Sequence, residues 1–530
     1  MKKTLSAVVA AAVGLVLGGG SVPSAAQAGH GPGGYTPPPV SWGACSDPDL
    51  QELEAQCGFV TVPLDYAKPR GTKIKVAVSR VRHTSSTAGY QGIMLVNPGG
   101  PGGSGLGLAS LGQFIPGGVG GDYDWIGFDP RGVGASQPSL TCDGDYAGYN
   151  RPPYVPTTKA IERAWLNRAR GYANDCERAG GALLDHVKTT DNAADMDSIR
   201  KALGAKQINF YGFSYGTYLG QVYATKYPGK VRRMVFDGSV DPTRVWYRSN
   251  LDQDRDFNRN INIYFGWVAK YDSVYHLGTT AAEVRKRYYA TERKLAKTPA
   301  GLLGQAELND VVLSAAYYVY GWEPIAEALS ALINDGDPEP ILAFYAPPGP
   351  GADNGYAMYL ATLCTDAPWP QSLEKFRRDN WKTYAKAPFA TWSNAWFNAP
   401  CLFWDADTAR RPVKVDGSKA PPILLIGETL DSATAFSGSL EVRKRFPRSV
   451  LVEGVGGTTH AGSLSGVACT DDTIAAYLDT GALPNRLRGN RSDKKCDPVP
   501  QPDPTAAAAA RSADASGTGL GRPKQLTAIR

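Results

Sequence analysis

The chain has 530 residues, a formal net charge of +6 and 42% hydrophobic residues, which is enough to bury one large core with an insertion. Its Lys and Arg residues are scattered and form no basic stripe. The composition therefore excludes a surface built for nucleic acid or another polyanion.

The amino terminus has the pattern of a secretory signal. Two lysines follow the first residue, an apolar stretch runs from Leu5 to Leu17, and an Ala-Gln-Ala motif ends at Ala28. We predict a signal peptide over residues 1–28 and a secreted protein. The apolar stretch is shorter than the roughly 20 residues that a membrane-spanning helix needs, and no later segment approaches that length. No membrane association is expected once the signal is removed.

Short apolar or β-branched runs alternate with amphipathic helical stretches from Phe59 onward. This alternation is typical of an α/β fold with a mostly parallel sheet and helices on both faces. Residues 93–96 and 423–426 are apolar throughout, as expected of strands that are buried on both faces. The predicted strands are 73–82, 92–97, 124–129, 207–211, 232–237, 422–426 and 449–453.

The pattern changes between residues 241 and 361, where helical periodicity and aromatic residues replace the strand signals. Such a block between strands predicts a helical cap over the carboxyl end of the sheet, where ligands of these folds bind. A separate helical domain behind a linker is the alternative. The predicted organisation is a signal peptide (1–28), a flexible leader or short pro-segment (29–39), the first part of the core (40–240), the cap (241–361), the second part of the core (362–498) and a disordered tail (499–530).

Eight cysteines, an even number, favour disulfides in an exported chain. None of them has the spacing of a zinc site. Sequence alone leaves the connectivity open, and we predict that neighbours pair in order, because this closes only short loops. The predicted pairs are Cys45 with Cys57, Cys142 with Cys176, Cys364 with Cys401 and Cys469 with Cys496.

The strongest motif is a G-x-S-x-G around Ser214, which follows an apolar run and precedes a predicted helix over 218–227. A strand before and a helix after are the context of the nucleophile in the α/β-hydrolase fold. The two glycines leave room for a sharp turn with a strained serine, and the helix amino terminus directs N–H donors toward developing negative charge. We predict that Ser214 is the nucleophile. An ordinary glycine-rich turn is the alternative.

A serine nucleophile needs a base, for which histidine is the usual residue. Of the five histidines, only His460 lies beyond the last predicted strand, where the chain order of serine, acid and histidine requires the base. The acid should follow a strand at the carboxyl edge, so that it can orient the imidazole. We prefer Asp431, which follows the penultimate strand, and Asp237 and Glu428 remain alternatives.

A glycine-rich segment over residues 97–105 directly follows a buried predicted strand. Such a loop brings backbone N–H groups close to a substrate oxygen. We predict that the N–H groups of Gly100 and Tyr215 form the oxyanion hole. A phosphate-binding loop is the alternative, but the lysine of that motif is missing. The predicted chemistry requires no metal and no organic cofactor.

Four motifs together are specific enough to indicate a family. They are PGGPG at 98–102, FDPRGVG at 128–134, GFSYGT at 212–217 and DGSVDP at 237–242. With them the chain resembles the secreted tripeptidyl aminopeptidases of the proline iminopeptidase family over residues 40–496. The resemblance implies an α/β-hydrolase fold with an inserted helical cap and a triad of Ser214, Asp431 and His460. It also implies exopeptidase action on peptides with a free amino terminus.

Three positions depart from the pattern of that family. Pro98 stands where proline iminopeptidases have the histidine of H-G-G-P-G, as it does in the tripeptidyl branch. The segment around the predicted acid, Leu430-Asp431-Ser432-Ala433-Thr434, lacks the D-P-V-T-P pattern of that branch. Around the predicted base, Thr459-His460-Ala461 replaces the usual Gly-His-Thr. These departures concern the substrate range more than the triad.

An aminopeptidase must also recognise an ammonium group, which calls for a charged, partly desolvated carboxylate near the acyl site. The candidates are Asp366, where the chain should re-enter the core, and Glu323 in the cap.

We predict a monomeric serine exopeptidase that releases di- or tripeptides from free amino termini. A carboxylester hydrolase with the same triad is the alternative, since a fold does not fix the acyl group that is attacked, and an inactive binding protein is a remote one.

Overall fold

The computed structural model describes residues 34–345, 347, 349 and 353–505. The predicted signal peptide, residues 29–33 of the predicted leader and residues 506–530 of the predicted tail lie outside the described residues. No helix within the described ranges is both long and apolar enough to cross a membrane.

The strands of the described residues form one sheet. They are β1 (Gly43–Ala44), β2 (Gln56–Pro63), β3 (Lys73–Val81), β4 (Ile93–Asn97), β5 (Asp124–Phe128), β6 (Ile208–Phe213), β7 (Val231–Asp237), β8 (Leu424–Glu428), β9 (Val450–Gly454) and β10 (Lys494–Cys496). Their order in the sheet is β1-β2-β3-β5-β4-β6-β7-β8-β9-β10. Pairing is antiparallel from β1 to β5 and parallel from β5 through β10.

All the predicted strands are present, and each of their ends lies within two residues of the predicted one. The sequence missed β1, β2 and β10. Strands β1 and β10 have only 2 and 3 residues, too few for a periodic signal. Strand β2 contains Gly58, which weakens a strand pattern but is needed here, because a Cβ on it would lie 2.7 Å from the carbonyl oxygen of Ser41.

The parallel strands are buried on both faces, as their continuous apolar runs predict. Leu95 of β4 belongs to a core that contains side chains such as Met196 and Leu219. Val96, the next residue, points to the other face and belongs to a core that contains Leu108 and Ile474. The mostly parallel sheet with helices on both faces is therefore confirmed.

The helices are α1 (Pro48–Glu52), α2 (Lys159–Gly180), α3 (Thr189–Ala202), α4 (Tyr215–Lys226), α5 (Tyr247–Lys270), α6 (Asp272–Tyr275), α7 (Ala281–Leu295), α8 (Gln305–Tyr317), α9 (Trp322–Ser330), α10 (Glu339–Phe344), α11 (Asn354–Asp366), α12 (Leu373–Tyr384), α13 (Thr391–Asn398), α14 (Phe436–Arg445) and α15 (Ala468–Thr480). Short 3-10 segments lie at Leu106–Phe114, Pro116–Asp122, Gly181–His186, Pro228–Lys230, Val319–Gly321 and Ala399–Leu402, and a π-helical turn lies at Ala331–Asp335.

Between β7 and β8, the described residues form helices α5–α13 and no strand. Most of these helices share a separate hydrophobic core, rich in aromatic residues such as Tyr264, Trp267 and Trp322. The helical block continues beyond residue 361 into α12 and α13. Part of α11, with Leu360 and Leu363, packs into the core of the sheet instead. Below, the cap denotes helices α5–α10.

Four disulfides join neighbouring cysteines in the predicted order. The pairs are Cys45–Cys57, Cys142–Cys176, Cys364–Cys401 and Cys469–Cys496. The last of these ties the short strand β10 to the start of α15. Disulfides of this kind persist in oxidising compartments, and each closes a short loop.

Candidate active site

Ser214 occupies a strained turn between β6 and α4. Its backbone has φ 53° and ψ −124°, a conformation that residues other than glycine rarely adopt. The Ser214 N–H donates to the carbonyl oxygen of Asp237 at 3.0 Å. Gly216 permits the close approach that this turn requires, because a Cβ on it would lie 2.7 Å from the carbonyl oxygen of Asn97. The predicted nucleophile therefore lies at the carboxyl end of β6 and at the amino terminus of a helix.

Asp431 and His460 form a buried hydrogen-bonded pair, with Nδ1 of the imidazole 2.8 Å from Oδ2 of the carboxylate. The other carboxylate oxygen, Oδ1, accepts from the backbone N–H groups of Ala433 and Thr434, both at 2.9 Å. The Thr434 hydroxyl donates to Oδ2 at 2.8 Å. These donors hold the carboxylate, which in turn bonds Nδ1 of the imidazole and leaves Nε2 outside this pair.

The electrostatic surroundings of His460 favour its protonated form. Burial lowers the pKa of His460, but the charge and hydrogen bond of Asp431 and the charge of Asp237 together outweigh this effect, so that the pKa lies above its ordinary value. An imidazolium that forms during proton transfer is therefore stabilised.

The backbone at Asp237 and Gly238 connects the serine turn with the imidazole. The Asp237 carbonyl accepts from Ser214, as described, and a Cβ on Gly238 would lie only 3.0 Å from Cε1 of His460. Gly238 also has φ 67°, which favours glycine. The backbone of Asp237 and Gly238 therefore lies against both the serine turn and the His460 ring, at the carboxyl end of β7.

The two alternative acids make other contacts. Asp237 accepts from the backbone N–H of Ser463 at 2.8 Å, and burial raises its pKa to about 6. Glu428 accepts from the backbone N–H of Val499 at 3.2 Å, and burial raises its pKa to about 8. Of the three carboxylates, Asp431 is the one whose side chain bonds the imidazole.

The glycine-rich loop lies directly against the serine turn. A Cβ on Gly99 would lie 2.8 Å from Cβ of Ser214 and 3.0 Å from the backbone nitrogen of Tyr215. Gly99 and Gly100 both have φ 98°, in the region that favours glycine. The structure therefore brings the two predicted oxyanion donors, the N–H groups of Gly100 and Tyr215, into the same neighbourhood. These roles stay predictions.

The two predicted ammonium-binding residues differ in their surroundings. Asp366 is buried, and its carboxylate accepts from the N–H and hydroxyl of Thr189, at 2.7 and 2.6 Å, and from Trp246 Nε1 at 3.2 Å. Burial raises the pKa of Asp366 to about 6. Glu323 is half-buried in the first turn of α9, and among the described residues its side chain has no hydrogen bond or ion pair. Glu323 is therefore the candidate whose carboxylate is still open to a ligand.

The cap contacts the base directly, which the sequence did not predict. The rings of Tyr317 and Tyr318 lie 6.1 and 6.2 Å from the His460 ring, between centroids. The backbone N–H of His460 donates to the Tyr317 carbonyl at 2.9 Å. The two tyrosines lie in the aromatic-rich block that the sequence predicts as the cap, and this is the sequence signal that could have indicated such contacts.

Comparison with known proteins identifies the family of the chain. The sequence model of the α/β-hydrolase fold matches residues 92–466. The chain belongs to the α/β-hydrolase family. This α/β-hydrolase is 39% identical to the tripeptidyl aminopeptidase of Streptomyces coelicolor over 461 residues, which cover 84% of the chain and 85% of that protein.

Two further relatives come from Mycobacterium tuberculosis. The serine protease Hip1 is 30% identical over 477 residues, which cover 84% of this chain and 90% of that protein. Carboxylesterase B is 31% identical over 507 residues, covering 89% and 95%. The predicted resemblance to the tripeptidyl aminopeptidases is confirmed, and this member of the α/β-hydrolase family is a serine hydrolase.

Proposed function

We propose that this serine hydrolase is a secreted exopeptidase that releases di- or tripeptides from substrates with a free amino terminus. The observation that carries the proposal is the hydrogen-bonded pair of Asp431 and His460 beside the strained turn of Ser214. Similarity to a tripeptidyl aminopeptidase supports the peptide substrate. The four disulfides support secretion, because they persist in oxidising compartments.

In the proposed mechanism, His460 Nε2 takes the proton of the Ser214 hydroxyl while Oγ attacks the carbonyl carbon of the scissile peptide bond. The N–H groups of Gly100 and Tyr215 donate to the resulting oxyanion. The imidazolium, stabilised by Asp431, then protonates the leaving amine, and the carbon–nitrogen bond breaks. Water, activated by the neutral imidazole, hydrolyses the acyl-enzyme and releases the short peptide.

A chromogenic tripeptide tests the proposal when it is supplied with its amine free and with its amine acetylated. An exopeptidase that binds the ammonium group should cleave the free peptide at least about tenfold faster in kcat/KM, because a partly desolvated carboxylate loses a charge-assisted partner in the acetylated peptide. Equal rates on the two peptides would overturn the exopeptidase assignment.

A carboxylester hydrolase is the second candidate, because carboxylesterase B is also a relative, at 31% identity. The same triad serves both reactions, so the acyl group distinguishes them. Hydrolysis of simple acyl esters together with inactivity on both tripeptides would favour this second function.

Glu323 is the residue that we propose for the ammonium group, with Asp366 as the second choice. Glu323→Gln is expected to raise KM for the free tripeptide by about tenfold, since it removes the charge but keeps the shape. Hydrolysis of p-nitrophenyl acetate, which has no amine, should stay unchanged. Asp366→Asn is expected to leave KM nearly unchanged, because its carboxylate already serves Thr189 and Trp246. The reverse pattern in the two variants would assign the ammonium group to Asp366.

A further inference from the structure

One side chain of the cap bridges the two loops that carry the proposed acid and base. Asn260, in α5, is 1% exposed. Its Nδ2 donates to the carbonyl oxygen of Leu430 at 2.9 Å and to those of Thr458 and Ala316 at 3.2 Å each. Leu430 belongs to the acid loop (residues 429–435), Thr458 to the base loop (residues 455–463) and Ala316 to the last turn of α8. Because an amide nitrogen has two hydrogens, three carbonyls share them, and one side chain joins three segments.

The acid loop borders an open cavity and is bonded by further side chains of α5. Ala433 and Thr434 line a cavity of about 560 Å³ together with residues of α5. Gln253 donates to the carbonyl of Ala433 at 2.7 Å, and Arg259 donates to that of Leu430 at 2.6 Å.

The base loop is also held by the cap. Tyr317, at the end of α8, accepts from the N–H of His460, and the Thr459 hydroxyl accepts from the N–H of Val319 at 3.1 Å. Gln253 and Arg259 bond the acid loop alone, whereas the hydrogen bonds of Asn260 reach both loops. The two loops are also joined directly, by the Leu430 N–H to the Gly457 carbonyl at 2.8 Å and by the Gly456 N–H to the Thr429 hydroxyl at 3.2 Å. Among the described hydrogen bonds of α5, those of Asn260 are the ones that add a link to each loop.

We propose that Asn260 is a positioning residue that fixes the spacing of the acid and base loops and, through it, the hydrogen bond between Asp431 and His460. This role rests on the triad proposed above. It does not depend on whether the acyl group is a peptide or an ester. The Asn260 Nδ2 bonds backbone carbonyls, and its Oδ1 accepts from Arg259 Nε at 3.0 Å. Removal of the Asn260 side chain should therefore change the geometry of the pair without removing a group that touches substrate.

Asn260→Ala is expected to lower kcat by about 10²-fold while KM changes by less than about threefold, because catalysis is sensitive to shifts on the order of 1 Å. Activity is measured on the free tripeptide and on p-nitrophenyl acetate, per mole of serine titrated with a fluorophosphonate, so that unfolded protein is not counted.

The acid limb of the pH profile of kcat/KM should also move to lower pH. The charged or titratable groups that face His460 are Asp431 and Asp237, with the rings of Tyr317 and Tyr318 beside it, and only the first holds the imidazole by a hydrogen bond.

Asn262→Ala is the matched control on the same helix. Its side chain bonds Asn258 and Arg285, away from both loops, so the kcat and pH profile of this variant should match those of the wild type.

Should Asn260→Ala fail to fold, Asn260→Ser, which keeps one donor, is expected to give a smaller loss of kcat with the same direction of the pH shift. An unchanged kcat per titrated serine together with an unmoved acid limb in a folded variant would overturn the positioning role. Wild-type protein that hydrolyses the ester but neither tripeptide would overturn the exopeptidase proposal and leave this test intact.

Discussion

Ser214→Ala is expected to lower kcat by about 10⁶-fold on the free tripeptide, because loss of a serine nucleophile removes the acyl-enzyme pathway altogether. Circular dichroism and thermal melting should be unchanged, since the hydroxyl serves no buried structural contact among the described hydrogen bonds. The measurement is single-turnover and steady-state hydrolysis of the chromogenic peptide, with covalent labelling by a fluorophosphonate as a second readout. Labelling should disappear together with activity.

Ser110→Ala is a suitable control for this experiment. Its hydroxyl donates to the carbonyl of Gly107 within its own turn, so activity should be unchanged. Retention of more than about one per cent of the activity by Ser214→Ala, well above the residual catalysis expected without the nucleophile, would assign the chemistry to another residue.

Asp431→Asn is expected to lower kcat by about 10⁴-fold, because an asparagine at this position favours the wrong tautomer of the imidazole. The pH profile should change as well. His460 must be neutral to accept the serine proton, so activity rises as the pH passes upward through its pKa. The Asp431 carboxylate contributes to raising that pKa, so removing its charge moves the acid limb to lower pH. Steady-state kinetics over a pH series measures both effects.

Asp237→Asn distinguishes the preferred acid from its alternative. Asp237 raises the pKa of His460 through its charge, but its described hydrogen bond is to Ser463. A loss of about tenfold or less is therefore expected, with a smaller shift of the acid limb in the same direction. A larger loss for Asp237→Asn than for Asp431→Asn would exchange their assigned roles.

The sequence predicts the strands well where they are buried on both faces. Runs such as those of β4 and β8 are apolar throughout, and burial on both sides explains both the pattern and its reliability. Strand β2 is paired antiparallel with β3 and alternates exposed Phe59 with buried Val60, so its signal is weaker. The sequence predicts the end of the helical block at residue 361, within α11, whereas the helices continue into α12 and α13. Part of α11 packs into the core of the sheet, so its pattern resembles that of the core.

The residues of the candidate site also differ in how directly the sequence predicts them. Ser214 and His460 follow from a local motif and from chain order, which a sequence records directly. The choice among Asp431, Asp237 and Glu428 depends on which carboxylate bonds the imidazole, and that is a distance between loops far apart in the chain. The contacts of Asn260 are of this second kind, since they join segments separated by up to 198 residues.

The order of these segments along the chain also governs when activity can arise during synthesis. The serine turn needs only β6, α4 and their immediate neighbours, whereas the acid and base loops are made after the cap that holds them. The last described residues close the assembly, because Val499 donates to Glu428 and the Trp267 indole N–H donates to the carbonyl of Pro502 at 2.9 Å. Because the amino-terminal part of a chain is made first, an incomplete chain contains the proposed nucleophile without the proposed acid and base. A chain that stops before His460 is therefore expected to have no hydrolase activity.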